Sequence, residues 1–521
     1  MQTASIDYVP KLKYDALLHE VADLRRQLDW LRRQVFGQKS EKRLVDVSGD
    51  QAVLGEGFLE LPEVLPTPNK SPVQGHDREH KPKMPAGDES NSFFDDKVPV
   101  EVITVANPEI EGLSPEQYEV IGEKVSYRLA QRPGSYVVVK YVRQVIKRLD
   151  TQAISCAAAP VGVIEGSRAD VSFIAGLLID KLVYHLPFYR QHQRLAGSGV
   201  KVSRAWLTQI AQKVISLLEP IFNAQLTSIR ASRVKMMDET PIKAGVAAPG
   251  KLKTGQMWPV MGEQDEICFL FYAGKGGQYV SQALGEKPPD RAVLQTDGYT
   301  VYAKYAQRLG ITHAQCWAHC RRMFFEARDI EPQEAEQALQ LIAQLYAVEA
   351  EIRDKGLGDN AKRALRQDKA KPVAERFFTW VDKQFDKQGF LPSSAMTKAF
   401  AYARERKEGL MVYLEDPAVA IDTNAIERAL RVIPMGRRNW LFCWTELGAH
   451  QIGIMQSLLV TCKLHGIDPY DYLVDVLQRI SEHPASRVEE LTPRRWKELF
   501  ADNPLRSPLH QFGTARKNAA C

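Results

Sequence analysis

The chain has 521 residues, too many for one ordinary core and enough for three or four units at roughly 150 residues each. Hydrophobic residues make up 44% and charged residues 26%, which excludes wholesale disorder, and a net charge of +5 permits nucleic acid as a partner without demanding it. Seven scattered cysteines exclude a disulfide framework and point to a reducing compartment. Met1 to Lys13 hold no apolar signal segment, and no window reaches ~18 uninterrupted apolar residues. The expectation is a cytoplasmic protein with no membrane partner.

Leu17, Val21, Leu24, Leu28, Leu31 and Val35 recur in alternating steps of four and three, the seam of a coiled coil. So short a repeat fits a zipper that makes a homodimer or higher oligomer, or one amphipathic helix packed on its own chain. This helix is assigned to residues 10–44. Residues 45–98 carry Pro62, Pro66, Pro68, Pro72, Pro82 and Pro85 among many charges and read as a linker. Residues 99–160 read as a small β-rich module, because Ser135 to Leu149 is dense in β-branched and aromatic side chains.

Residues 168–230 read as helices: Ile174 to His185, Phe188 to Ala196, a turn at Gly197-Ser-Gly199, and a third helix capped by Ser203 and running through Ile215. With Arg204, Trp206 and Lys213 this fits a helix-turn-helix that touches DNA through Arg204 and Lys213. A plain αα-hairpin has the same pattern, and both readings stand.

From residue 231 the pattern turns to strands. Val234 to Met237 ends in Asp238; Gln256 to Val260 and Ile267 to Tyr272 follow, then a short helix over Val280 to Leu284. Arg291 to Thr296 is a second buried strand ending in Asp297, and Thr312 to His319 is strand-like and runs into a helix. That order is the order of a ribonuclease-H-like fold. Two aspartates at neighbouring strand tips can meet at one rim of a sheet, where hard oxygen ligands suit two Mg²⁺ (or Mn²⁺) ions that clamp a phosphodiester for in-line displacement. A third carboxylate is needed, and the candidate is Glu427 in Asn424-Ala-Ile-Glu-Arg-Ala-Leu-Arg431. Each acid also has a plainer reading: an Asp after a strand often forms a turn, and Asn424 as N-cap would make Glu427 a capping-box residue. Arg431, Arg437, Arg438 and Trp440 follow directly, offering guanidinium groups for phosphate and a ring for stacking on a base.

Met237-Asp-Glu-Thr-Pro241, Gln295-Thr-Asp-Gly-Tyr299, Cys316-Trp-Ala-His-Cys-Arg-Arg-Met-Phe324 and Asn424 to Phe442 resemble the signature blocks of the insertion sequence 66 family of transposases. Val35 to Lys42, Leu186 to Arg190 and Gly466 to Leu473 resemble it too, in order along the chain. The resemblance implies a DDE triad of Asp238, Asp297 and Glu427 that is both catalytic and metal-binding. It also implies His319 and Arg322 as neighbours of the site on DNA, and a helical insertion between the second and third acids.

The expected architecture is thus multidomain α+β. A ribonuclease-H-like α/β core spans 231–330 and 416–460, with a helical insertion over 331–415 and a helical tail over 461–521. Related proteins often carry a Cys-x-x-Cys zinc unit near 98–160; only Cys156 stands there, so no structural zinc is expected. Cys316-x-x-His319 has ligand-like spacing without a second pair nearby. The expected activity is metal-dependent cleavage at transposon ends and strand transfer into target DNA, with accessory proteins of the same element as possible partners. A domesticated DNA-binding protein, a ribonuclease-H-fold nuclease that cuts without joining, and a structural coiled-coil protein are the alternatives.

Overall fold

The computed structural model describes residues 99–510, apart from 112–113, 133–134, 388, 441–442 and 444. The leucine repeat at 10–44 and the linker at 45–98 lie outside the described residues. No helix among the described residues is long and apolar enough to cross a membrane.

The first sheet is built on a long antiparallel hairpin, β2 (Tyr118–Arg132) and β3 (Ser135–Arg148), with β1 (Val100–Val105) parallel to β3 and β4 (Ile154–Cys156) antiparallel to it. Tyr136 to Val139 read as a continuous apolar run because β3 is covered on both faces there. Tyr136 and Val138 join the main core with Phe173, while Val137, Val139 and Tyr141 pack with Leu509.

Helices α1 (Val171–Leu182), α2 (Phe188–Gly197) and α3 (Arg204–Ala231) follow. Ser203 caps α3 as expected, accepting the Trp206 amide at 3.1 Å. The helix does not stop at Ile215 but runs on through Pro220. Leu218, Ile221, Phe222, Leu226 and Ile229 continue its buried stripe, and their burial outweighs the single amide that proline removes.

The second sheet holds β5 (Val234–Met237), β6 (Thr240–Ala248), β7 (Lys251–Gly262), β8 (Ile267–Tyr272), β9 (Val293–Thr296) and β10 (Thr312–Gln315). Strands β5 and β6 pair with β7 in one register from Lys235 to Lys243, Met237 opposite Val260 and Thr240 opposite Met257, so they form a single row across Asp238-Glu239, and the register shifts only beyond Lys243. β8 pairs antiparallel with the opposite edge of β7, while β9 runs parallel to β5 and β10 parallel to β9. Reading across, the rows are β8, β7, β5/β6, β9 and β10, with α4 (Gly277–Leu284) before β9 and α5 (Thr300–Leu309) before β10.

The outer edge of β8 is covered rather than left open. Helix α14 (Glu446–Leu464) lies against it: Ser457 Oγ accepts the Phe269 amide at 2.8 Å and Thr461 Oγ1 accepts the Ile267 amide at 3.2 Å. Gly453 makes the approach possible, since a Cβ there would stand 2.3 Å from the Phe269 carbonyl oxygen.

After β10, α6 (Trp317–Ala327) leads into α7 (Pro332–Asp354), α8 (Asp359–Leu365), a π-helical turn at Arg366–Ala370, α9 (Lys371–Asp386), α10 (Ala395–Glu405) and α11 (Lys407–Glu415). These helices bury a second core around Trp317, Phe324, Phe377, Phe378 and Phe400. The chain then returns to the sheet through α12 (Asn424–Leu430) and α13 (Val432–Trp440), and ends in α15 (Pro469–Arg479) and α16 (Pro493–Leu499).

Candidate active site

The parallel pairing of β5, β9 and β10 decides where the acids stand. Met236 is opposite Gln295, and two residues on from each are Asp238 and Asp297. Gln315 is opposite Thr296, so the next residue, Cys316, falls in the same row as Asp297. Three side chains with metal-ligating chemistry therefore leave one rim of the sheet side by side, at the carboxyl ends of its parallel strands, where open α/β sheets place their ligands.

Glu427 arrives from the far side of the helical insertion. Gln295 Nε2 donates to the Ala420 carbonyl at 2.7 Å and the Trp317 amide donates to the Ile421 carbonyl at 3.1 Å, fixing the returning segment to the tips of β9 and β10. Thr423 then closes onto Cys316, its amide and hydroxyl donating to Sγ at 3.3 and 3.2 Å. One turn into α12, Glu427 Oε1 accepts from the Thr423 hydroxyl at 3.3 Å.

The capping-box reading of Glu427 fails here. The N-cap is Thr423, not Asn424, so Glu427 sits at the fourth helical position and its amide is already bonded to the Thr423 carbonyl at 3.1 Å. Local polar capping falls to Asp422, which accepts the Asn424 amide at 3.1 Å, its side-chain amide at 2.6 Å and the Tyr346 hydroxyl at 2.9 Å. The Glu427 carboxylate is turned instead toward His319 Nδ1 at 3.7 Å and Arg322 Nη2 at 3.9 Å.

The rim is short of positive charge. Burial above all, then the carboxylates of Glu239, Asp297 and Glu427, raise the Asp238 carboxyl to about 7, against the pull of the Glu239 amide. Only the Asp238 Oδ1 bond from that amide, at 2.7 Å, and the Asp297 Oδ1 bond from the Tyr299 amide, at 2.9 Å, hold these two carboxylates locally. Carboxylates crowded together in this way, all offering oxygen, fit a hard divalent cation, whose charge would relieve the repulsion. Burial keeps His319 neutral by lowering its value, with Glu427 opposing.

Sequence reasoning missed three neighbours. Glu239 is buried beside Asp238 but already satisfied, by Lys275 Nζ at 3.0 Å and the Tyr302 hydroxyl at 2.6 Å. Arg406 donates to the Gly298 carbonyl at 3.1 Å and stacks on Tyr402 at 4.1 Å, and a Cβ at Gly298 would lie 2.7 Å from its Nε. His313, lowered to about 4 by burial, meets Thr296 Oγ1 at 2.8 Å beneath Asp297. Thr296 and His313 lie in facing strands and could have been paired from register, whereas Arg406 is 108 residues from Gly298 and carries no local signal.

Of the cationic candidates, His319 and Arg322 are brought to Glu427. Arg431 and Arg438 are exposed on the helices that follow it, while Arg437 donates to the Pro241 carbonyl. Trp440 ends α13, and its side chain lies outside the described residues. Arg204 and Lys213 stand exposed on α3, Arg204 over the Tyr189 ring at 5.5 Å, and neither bonds to the acid rim.

The comparisons with known proteins agree with this order of blocks. The model described as Transposase IS66 family matches residues 166–451, the IS66 C-terminal element matches 457–494, and a model described as Transposase C of IS166 homeodomain matches 23–103. The chain belongs to the IS66 family of transposases. Similar curated proteins include three uncharacterized proteins of Sinorhizobium fredii. The first, y4hP, is 28% identical over 92% of this chain and 90% of its own length. The second, y4jD, is 27% identical over 93% and 96%, and the third, y4qI, 30% over 73% and 72%.

Proposed function

We propose that this IS66-family chain is a DDE transposase, cutting DNA at transposon ends and joining those ends to target DNA with Asp238, Asp297 and Glu427 as its acids. The observation that carries the reading is the register that sets Asp238 beside Asp297 at one sheet rim, with Glu427's charge acting on the same carboxyl. The row order β8, β7, β5/β6, β9, β10, with three antiparallel rows followed by two parallel ones, supports a ribonuclease-H-like core.

Asp238, Asp297 and Glu427 would hold the Mg²⁺ or Mn²⁺ ions together, and Asp238, raised to about 7, would have to release its proton for them to bind. Bound divalent cations supply Lewis acidity and neutralise charge on the attacking and leaving oxygens of the phosphodiester. The chain's own part is positioning. Arg322, at the edge of the cluster, is placed to take a phosphate oxygen, and His319, neutral, can accept or donate a hydrogen bond to the scissile strand. Arg431 and Arg438, exposed after Glu427, would add phosphate contacts, Trp440 remains the stacking candidate from the sequence alone, and Arg204 and Lys213 would offer a second DNA contact. In cleavage, water would attack the phosphodiester at the transposon end and break its P–O3′ bond, freeing a 3′-hydroxyl; that hydroxyl would then attack a target phosphodiester and displace the target strand's own 3′-oxygen.

The test is a Mg²⁺- or Mn²⁺-dependent cleavage and strand-transfer assay on the element's end DNA, comparing wild type with Asp238→Ala, Asp297→Ala and Glu427→Ala. Loss of products by more than about 1,000-fold in each variant is expected, since each removes part of the charge clamp on the transition state. Cleavage without joining would make the chain a nuclease. Binding without cleavage, even with accessory proteins, would make it a DNA-binding protein.

A further inference from the structure

Among the described residues, one group of three His, Cys, Asp or Glu side chains brings its ligand atoms within 4.8 Å of one another, and it is not the carboxylate triad. It is Cys316, His319 and Glu427. Cys316 and His319 come from the first turn of α6 and Glu427 from α12, so the third ligand that the Cys-x-x-His spacing lacks locally is delivered across the insertion.

The atoms are set for coordination. His319 Nδ1 is buried without a hydrogen-bond partner and lies 3.7 Å from Glu427 Oε1. Two ligands at ~2.0–2.2 Å from a tetrahedral ion stand about 3.5 Å apart, so this separation needs little adjustment. Cys316 Sγ receives the Thr423 amide at 3.3 Å and lies 3.2 Å from its hydroxyl, which is shared with Glu427; these donors partly offset the burial that raises the thiol. Thr423 also contacts Glu427, so a single residue orients two of the ligands. A sulfur, an imidazole and one carboxylate select a borderline-soft cation over Mg²⁺, and three protein ligands leave a fourth position open.

We propose that Cys316, His319 and Glu427 form a binding site for a thiophilic divalent cation of the Zn²⁺ class, which captures Glu427 and so competes with the hard-cation site of the acid rim. The competition rests on the reading of Glu427 as the third catalytic acid; the site itself does not. On binding, the Cys316 thiol loses its proton to solvent and its sulfur bonds to the cation. This is an open three-ligand site, unlike the closed four-ligand zinc unit sought at 98–160.

The test uses the full chain and Co²⁺ as probe, followed by Zn²⁺ displacement. Wild type should show a thiolate-to-Co²⁺ charge-transfer band that saturates at one equivalent and is bleached by Zn²⁺. Cys316→Ser should lose the band, and His319→Gln, a second variant at a partly exposed position, should weaken binding by at least about 10-fold. Asp238→Asn should keep the band, because that acid belongs to the other site. Absence of the band in folded wild type, or its survival in Cys316→Ser, overturns the site. In the strand-transfer assay, Zn²⁺ should inhibit wild type in a manner that Mg²⁺ relieves. A wild type that binds Co²⁺ through Cys316 yet shows no such inhibition overturns the competition and leaves the site standing.

Discussion

Arg366, in the core of the helical insertion, and Asp238, at the rim of the central sheet, are both ionisable side chains withdrawn from water, and their surroundings are opposite. Arg366 is fully buried and wholly satisfied: Nε and Nη2 reach the two oxygens of Glu349 at 2.7 and 2.8 Å, and Nη1 donates to the carbonyls of Tyr413, Asp416 and Val419. Among the described residues, Asp238 meets the carboxylates of Glu239, Asp297 and Glu427 and no cation. A charge kept for structure is paired within its own unit, as burial requires. The crowded carboxyl of Asp238 has no such partner among the described residues, and that is the arrangement expected if, as proposed, the acid serves chemistry.

The largest effect should come from breaking the satisfied pair. Arg366→Ala leaves Glu349 buried without its partner and orphans three carbonyls, and should lower stability by about 3–5 kcal/mol, read by chemical denaturation. Pairing Arg366→Met with Glu349→Leu should restore only the part of that loss due to the stranded carboxylate, because the apolar pair avoids the desolvation of both charges but leaves the carbonyls of Tyr413, Asp416 and Val419 without Nη1. If Arg366→Ala melts with wild type, the ion pair does not hold the insertion together and the contrast with Asp238 collapses.

Asp238 should behave in the opposite sense. Its carboxyl is raised from 3.8 to about 7, so between about pH 4 and 7 the folded, metal-free chain holds a proton that the unfolded chain has released. Stability of the metal-free protein should therefore fall as pH rises through that window and level off above it. Asp238→Asn should remove the slope and stabilise the metal-free protein at pH 8 by about 2 kcal/mol, allowing for the solvent the carboxyl keeps, while abolishing cleavage. A variant less stable than wild type at pH 8 would show that Asp238 is a structural acid.

How much of this was legible in the sequence follows from the range of each contact. Asp238 and Asp297 stand out because short strand-forming segments such as Val293 to Thr296 end on them, and strand propensity is a local property. The helices of the insertion follow from composition in the same way. The convergence of Cys316 with Thr423 spans 107 residues, and nothing near Cys316 announces it. The cap of α12 was misplaced by one residue because Thr423 and Asn424 are both good caps; the hydroxyl's engagement with Cys316 and Glu427 fixes which one the fold uses. The sequence pattern carries α3 through Ile215; the continuous buried stripe takes it past Pro220 to Ala231.

The smallest effects should lie on the exposed arginines, where the same contrast recurs at the surface. Arg437 donates to the Pro241 carbonyl and is partly committed to the fold, whereas Arg431 and Arg438 are exposed on either side of it. Salt-dependent anisotropy with an end-DNA duplex should show the slope of log affinity against log salt reduced by about 1 for Arg431→Ala and for Arg438→Ala, with unchanged melting temperatures. Arg437→Ala should lower the melting temperature slightly as well, through the lost bond to Pro241. Slopes unchanged in all three would place the DNA elsewhere, and the exposed Arg204 and Lys213 of α3 would then be the next positions to vary.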